Sequence, residues 1–140
     1  MKKWKKIFSG LLVLAIALSV YGFYLYNKKP ADVRKLSAKY EITATVLVAE
    51  FNANETAANA KYLDKVIAVK GNVADMKIDS AGQATIFLDS GDPLAFVSCS
   101  FYNDEVSSTQ TLQKGVEVTI KGMCTGKLMD VVLNKCSIIK

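Results

Sequence analysis

The first twenty-six residues set the pattern of the chain. From Ile7 to Tyr26 it runs IFSGLLVLAIALSVYGFYLY, twenty residues without a charge. At ~1.5 Å rise per residue a helix of that length spans ~30 Å, the thickness of a bilayer's hydrocarbon core. Trp4 stands at one end and Tyr21, Phe23, Tyr24 and Tyr26 at the other, as interfacial aromatics do. Lysines bracket both ends and can reach the headgroups. A cleaved signal peptide is the competing explanation. The run is longer than a usual signal core, and the only A-x-A near this end, Ala15 to Ala17, falls inside it. No cysteine lies nearby to carry a lipid. We therefore expect a basic flank at 1–6, a membrane anchor at 7–26 with the lipid bilayer as its partner, and a linker at 27–42 marked by Pro30. Basic residues on both flanks nearly balance. A short basic start running straight into the apolar stretch favours a cytoplasmic amino terminus and a domain outside.

Beyond the linker the period changes twice. From Thr43 to Tyr62 the spacing is helical: Leu47, Phe51, Ala58 and Tyr62 fall near i, i+4 and i+7 steps, with Thr43 as N-cap. Asn52 and Asn54 are poor helix formers, so a break there with a second short helix from Glu55 is expected. After Asp64-Lys65 the pattern alternates. It predicts strands over 66–73, 84–88, 95–101, 116–124 and 130–139, with turns at 79–82, 90–93 and 125–127. Gly71 inside the first strand suggests a bulge or tight bend, and 102–114 a helical turn around Leu112. Five strands with a break between the third and fourth fit a closed OB-fold-like barrel. The fold class is thus mainly β: a domain over 43–140 made of an amphipathic helical segment that covers one open end and the five-stranded barrel that follows it, plus one transmembrane helix.

Charge narrows the function. The net charge is +5 over 140 residues, with 18 Lys plus Arg against 13 Asp plus Glu. Lys2, Lys3, Lys5, Lys6, Lys28 and Lys29 account for all of that excess, and from Ala31 onward 12 basic residues face 13 acidic ones. A phosphate-binding stripe is not in that balance. No histidine exists in the chain, which excludes Ser-His-Asp and Cys-His catalysis and histidine-ligated cofactors. Asp89 and Asp92 are spaced like a carboxylate pair, but Ser90, Gly91 and Pro93 around them make a solvated turn. We expect no enzyme, no cofactor and no metal.

Several segments resemble the tRNA_anti-like family of small bacterial OB-fold proteins. They are Asn54-Glu55-Thr56-Ala57-Ala58-Asn59-Ala60-Lys61-Tyr62 followed by Lys65, Val69 to Val73 around Gly71, Val97 to Phe101, Lys114 to Gly126 around Gly122, and Asp130 to Ile138. The resemblance implies the barrel and carries no ligand with it. Read physically, Asn54 is a cap and Glu55 a first-turn acid. Tyr62 is a core residue with its hydroxyl at the rim, and Lys65 a surface partner of Asp64 or Glu55. Gly71, Gly115 and Gly122 are backbone necessities. The resemblance also ranks Cys124–Cys136 first as a disulfide. With a turn near Lys127, Cys124 would face about Asp130, so that bridge needs a bulged or twisted hairpin. Cys99–Cys136 is the rival, because the third and fifth strands of such a barrel are neighbours. Phe87, Phe96, Phe101 and Tyr102 are the candidate ligand contacts on the barrel surface. The function expected is a membrane-anchored binding module for a protein, peptide or small molecule. A nucleic-acid-binding barrel is the alternative.

Overall fold

The computed structural model describes residues 1–28 and 31–139. Lys29, Pro30 and Lys140 lie outside the described residues, and with them the proline expected to mark the linker. The chain divides into two compact units, Met1–Ala31 and Asp32–Lys140. The first is helix α1 (Lys2–Asn27), apolar and long enough to cross a bilayer, with no residue buried in the protein. The second holds β1 (Tyr40–Thr43), α2 (Ala44–Ala53), α3 (Glu55–Tyr62), β2 (Val66–Ile78), β3 (Ala84–Asp92), β4 (Ala95–Phe101), α4 (Val106–Thr109), β5 (Glu117–Lys127) and β6 (Val131–Ile139).

β2 to β6 close the expected five-stranded barrel. The order is β2-β3-β4-β6-β5, and β5 returns to β2. All contacts are antiparallel except the β4–β6 pair. Closure leaves no barrel edge to aggregate. The core alternates along the strands: Ile86 and Leu88 on β3, Val97, Cys99 and Phe101 on β4, Ile120 and Cys124 on β5, and Leu133 and Cys136 on β6. Helix α2 adds Ala44, Leu47, Val48 and Phe51, and α3 adds Ala58 and Tyr62. The helix break falls at Asn54, where the side-chain oxygen caps α3 by accepting from Ala57 N at 3.1 Å. Thr43 caps α2 in the same way through Val46 N, at 3.3 Å.

Several boundaries differ from expectation. β2 extends to Ile78, because its second half changes partner from β5 to β3. Its register irregularity lies between Val73 and Asp75, not at Gly71. Gly71 instead lets α2 approach: a Cβ there would sit 3.1 Å from that of Ala44. Of the turn expected at 90–93, residues 90–92 are still strand. Asp92 pairs with Ala95 around a two-residue tip, Pro93-Leu94, and the buried Ser90 hydroxyl donates to the Ala95 carbonyl. The turn expected at 125–127 is also strand, since Gly126, at φ +105°, carries an irregular ladder through to Lys127. The hairpin turns at 128–130 instead, and Cys124 faces Leu133 rather than Asp130. The helical turn between β4 and β5 covers Asn103–Thr109, upstream of Leu112.

The stretch read as linker is partly structured. Asp32 caps a 3-10 turn, Val33–Lys35, whose Val33 is fully buried. β1 then pairs in parallel with Ile67–Lys70. Lys121 Nζ donates to the carbonyls of Arg34 and Leu36 at 3.0 and 2.8 Å. Arg34 bridges Asp32 and Asp104 and lies 4.5 Å over the Tyr102 ring. This strap has no long apolar period, which is why only its tertiary contacts reveal it.

Candidate functional site on the outer barrel wall

Strand alternation separates the four aromatic candidates. Phe87 lies between buried Ile86 and Leu88, and Phe96 between buried Ala95 and Val97, so both rings stand on the outer wall, half-exposed. Phe101 is in phase with the inward set of β4 and is 1% exposed, so it belongs to the core. It is not a surface contact. Tyr102 lies outside but is occupied: its hydroxyl accepts from Val33 N at 3.1 Å while Arg34 covers its face. It is a strap anchor.

Phe87 and Phe96 line one open groove of about 500 Å³ with Ala74, Lys77, Leu94 and Met129. The two hairpin tips beside it are apolar and unprotected, with Leu94 82%, Leu128 89% and Met129 80% exposed. Asp130 joins the hairpins by accepting from Phe96 N at 3.0 Å. Asp75 stands opposite Phe87 in the β2–β3 register. Its carboxyl is held below the usual range by the Met76 N–H and then by Lys114, 3.2 Å away. Lys77 Nζ lies 5.3 Å over the Phe87 ring. The floor is therefore aromatic and the rim carries two lysines, one of them paired. The two rings are the pair among the four sequence candidates that strand alternation places on the outer wall. Leu94 and Met129 were hidden because both tips were placed in the wrong turn.

The remaining named positions are structural. Tyr62 is buried, and its hydroxyl donates to Glu50 Oε2 at 2.7 Å. Lys61 reaches both Glu50 oxygens at 3.2 Å and lies 4.8 Å over the Tyr62 ring. Glu50 is held below the usual carboxylate range first by that Tyr62 hydroxyl and then by Lys61. Glu55 sits in the first turn of α3. Lys65 pairs with neither Asp64 nor Glu55; it donates to the carbonyls of Ala60 and Lys61, at the end of α3, where orphan acceptors need a cation. Gly122 is a close approach, since a Cβ there would lie 2.5 Å from Cys136 Sγ and 3.2 Å from Leu133 Cβ. Asp89 and Asp92 make turn hydrogen bonds to Gly91 N and Leu94 N. Among the described residues no three His, Cys, Asp or Glu side chains gather to hold a metal. The three cysteines are buried free thiols.

A five-stranded Greek-key barrel with a helical cap and an apolar groove on its wall defines an OB-fold domain. The tRNA_anti-like family matches residues 1–138, and the chain belongs to that family. No curated protein matches the chain. Among solved structures it is similar to a "putative nucleic acid-binding lipoprotein" from Klebsiella pneumoniae, at 20% identity and TM-score 0.58, covering 80% of this chain and 100% of that one. A Stn1-Ten1 complex from S. pombe is similar at 12% identity and TM-score 0.41, over 54% of this chain and 58% of that one. A "putative aspartyl-tRNA synthetase" from Leishmania major is similar at 12% identity and TM-score 0.48, over 79% of this chain and 23% of that one. The first likeness shows the fold.

Proposed function

We propose that this protein is a membrane-tethered, non-enzymatic OB-fold binding module that seats a protein, peptide or small ligand on the outer wall at Phe87 and Phe96. The observation that carries this reading is the pair of half-exposed rings in one groove, flanked by the bare tips Leu94 and Met129. Apolar side chains left in water beside a preformed groove gain by covering it, and aromatic anchors dominate such contacts. The tether is α1, a single pass with its amino terminus in the cytoplasm and the barrel on the outer side. Its length, its flanking lysines and its aromatic ends support that placement. The solved likeness described as a lipoprotein points the same way.

One observation favours a second reading, in which the ligand is single-stranded nucleic acid. Lys77 and Lys114 stand beside two stackable rings, the pairing such surfaces use. Magnitude separates the two readings. With Lys114 already paired to Asp75, the groove neutralises at most two phosphates, so log K against log salt would have a slope of only about −1.4. The test uses a fragment spanning Asp32–Lys140, because the amino-terminal lysines would add a salt dependence of their own. Fluorescence polarisation with labelled single-stranded oligonucleotides should give no tight complex at physiological salt. Submicromolar binding with a slope steeper than about −3, lost on Phe96→Ala, would establish the nucleic-acid reading instead.

A further inference from the structure

Neighbouring elements of the barrel wall each bring one side chain to the groove. Lys77 stands on β2 opposite Thr85, and Phe87 on β3 opposite Asp75 and Ser98. Phe96 is two residues nearer the β3–β4 tip than Ser98. Asp130, in the turn that leads into β6, accepts from Phe96 N at 3.0 Å. A diagonal line across β2, β3, β4 and the start of β6 therefore reads cation, ring, ring, carboxylate. Each ring has one charge beside it, since Lys77 Nζ lies 5.3 Å over Phe87. Lys114 and Asp75 neutralise one another at 3.2 Å. Lys77 and Asp130 have no ion-pair partner among the described residues.

A line in that order is complementary to its own reverse. Turned about a two-fold axis that crosses the line between the two rings, a second copy sets its Asp130 against Lys77 and its Phe96 against Phe87. Each contact then occurs twice, as an isologous interface requires. The bare tips fit the same operation. Leu94 and Met129 project beside Phe96 and Asp130, and they come over the Phe87 end of the facing groove of about 500 Å³. From Ala31 onward 12 basic residues face 13 acidic ones, so two such domains do not repel one another through net charge. We propose that the partner seated on this wall is a second copy of the same chain, docked face to face, an inference that rests on the reading of the wall as a binding face. The two unpaired charges set the register between copies, and the covered rings and tips supply the association. Holding both copies in one bilayer raises their effective concentration.

Two full-length copies with different epitope tags are produced in one membrane, each with a photoreactive side chain in place of Phe96. The expected adduct has twice the mass of the chain and carries both tags. Lys77→Glu in both copies sets acid against acid at both ends of the line and lowers that adduct by about tenfold or more. A Lys77→Glu copy mixed with an Asp130→Lys copy restores it, because every contact again joins opposite charges. Asp130→Lys also removes the acceptor of Phe96 N. If that copy fails to accumulate, Lys77→Glu, at an exposed side chain, decides alone. A position-96 adduct of any other mass overturns the second copy as partner and leaves the binding wall standing. Absence of any adduct overturns both. A doubled adduct indifferent to Lys77→Glu overturns the face-to-face register.

Discussion

Gly122→Ala tests the barrel's tightest contact. An alanine Cβ at this site would meet Cys136 Sγ at 2.5 Å, the Asn134 carbonyl at 3.2 Å and Leu133 Cβ at 3.2 Å. The first is a contact real structures do not tolerate, and the other two are backbone or near-backbone atoms with little freedom to yield. Forcing one methyl into a packed core typically costs about 1–3 kcal/mol. For a domain of roughly 100 residues each kcal/mol lowers Tm by about 4–8 °C. The assay is thermal unfolding of the Asp32–Lys140 fragment followed by far-ultraviolet circular dichroism, because the single tryptophan, Trp4, lies in α1 and does not report on the barrel. The decisive comparison is with the Cys136→Ala background. There the sulfur is gone and only the two 3.2 Å contacts remain, so Gly122→Ala should cost at least about 1 kcal/mol less than in the parent. Equal costs in the two backgrounds, within about 0.5 kcal/mol, would refute the claim that Gly122 exists to admit the Cys136 side chain.

Three further expectations follow from the same geometry. Phe101→Ala should lower stability by about 3–5 kcal/mol as a core truncation, whereas Phe96→Ala on the outer wall should cost under about 1 kcal/mol; equal losses would put both rings in the same environment. A fragment beginning at Thr43 lacks Val33, the Arg34 and Lys121 contacts and β1, and it should melt well below one beginning at Asp32; Val33→Asp should do the same by burying a charge, and unchanged melting would make the strap an ornament. The Glu50 carboxyl has its folded pKa below the unfolded one, so its contribution is present above the unfolded value and disappears as pH falls through the folded one. Tyr62→Phe, which removes the largest cause of that depression, should flatten the acid side of a stability–pH curve, and an unchanged curve would contradict the Tyr62–Glu50 pairing.

Much of the architecture was legible because burial imposes a period. The α2–α3 break at Asn54, the five barrel strands and the inward set on β4 all follow from spacing that only one packing satisfies. Phe101 shares its phase with Val97 and Cys99, and that phase places it inside. Turn positions were less legible. Gly91 and Gly126 look like turn glycines, yet both lie within strands, where irregular ladders use their positive φ. Moving those two turns hid Leu94 and Met129, the exposed walls of the groove. The strap is held by Val33 burial, a lysine–carbonyl contact and Arg34 stacking, none of which leaves a repeating pattern. Lys65 shows the limit of charge pairing as a guide, since a helix end competes with any nearby carboxylate for an ammonium group.

The central claim, that a ligand is seated on the Phe87–Phe96 wall of a membrane-held barrel, is tested most directly by photocrosslinking in the native membrane. A photoreactive side chain replaces Phe96 in the full chain, and a control replaces exposed Ser107, which lies away from the groove. The account predicts one discrete adduct from position 96, absent from position 107 and lost when Leu94 and Met129 are changed to Ser. Identical adducts from both positions, none from either, or a position-96 adduct removed by nuclease would contradict it.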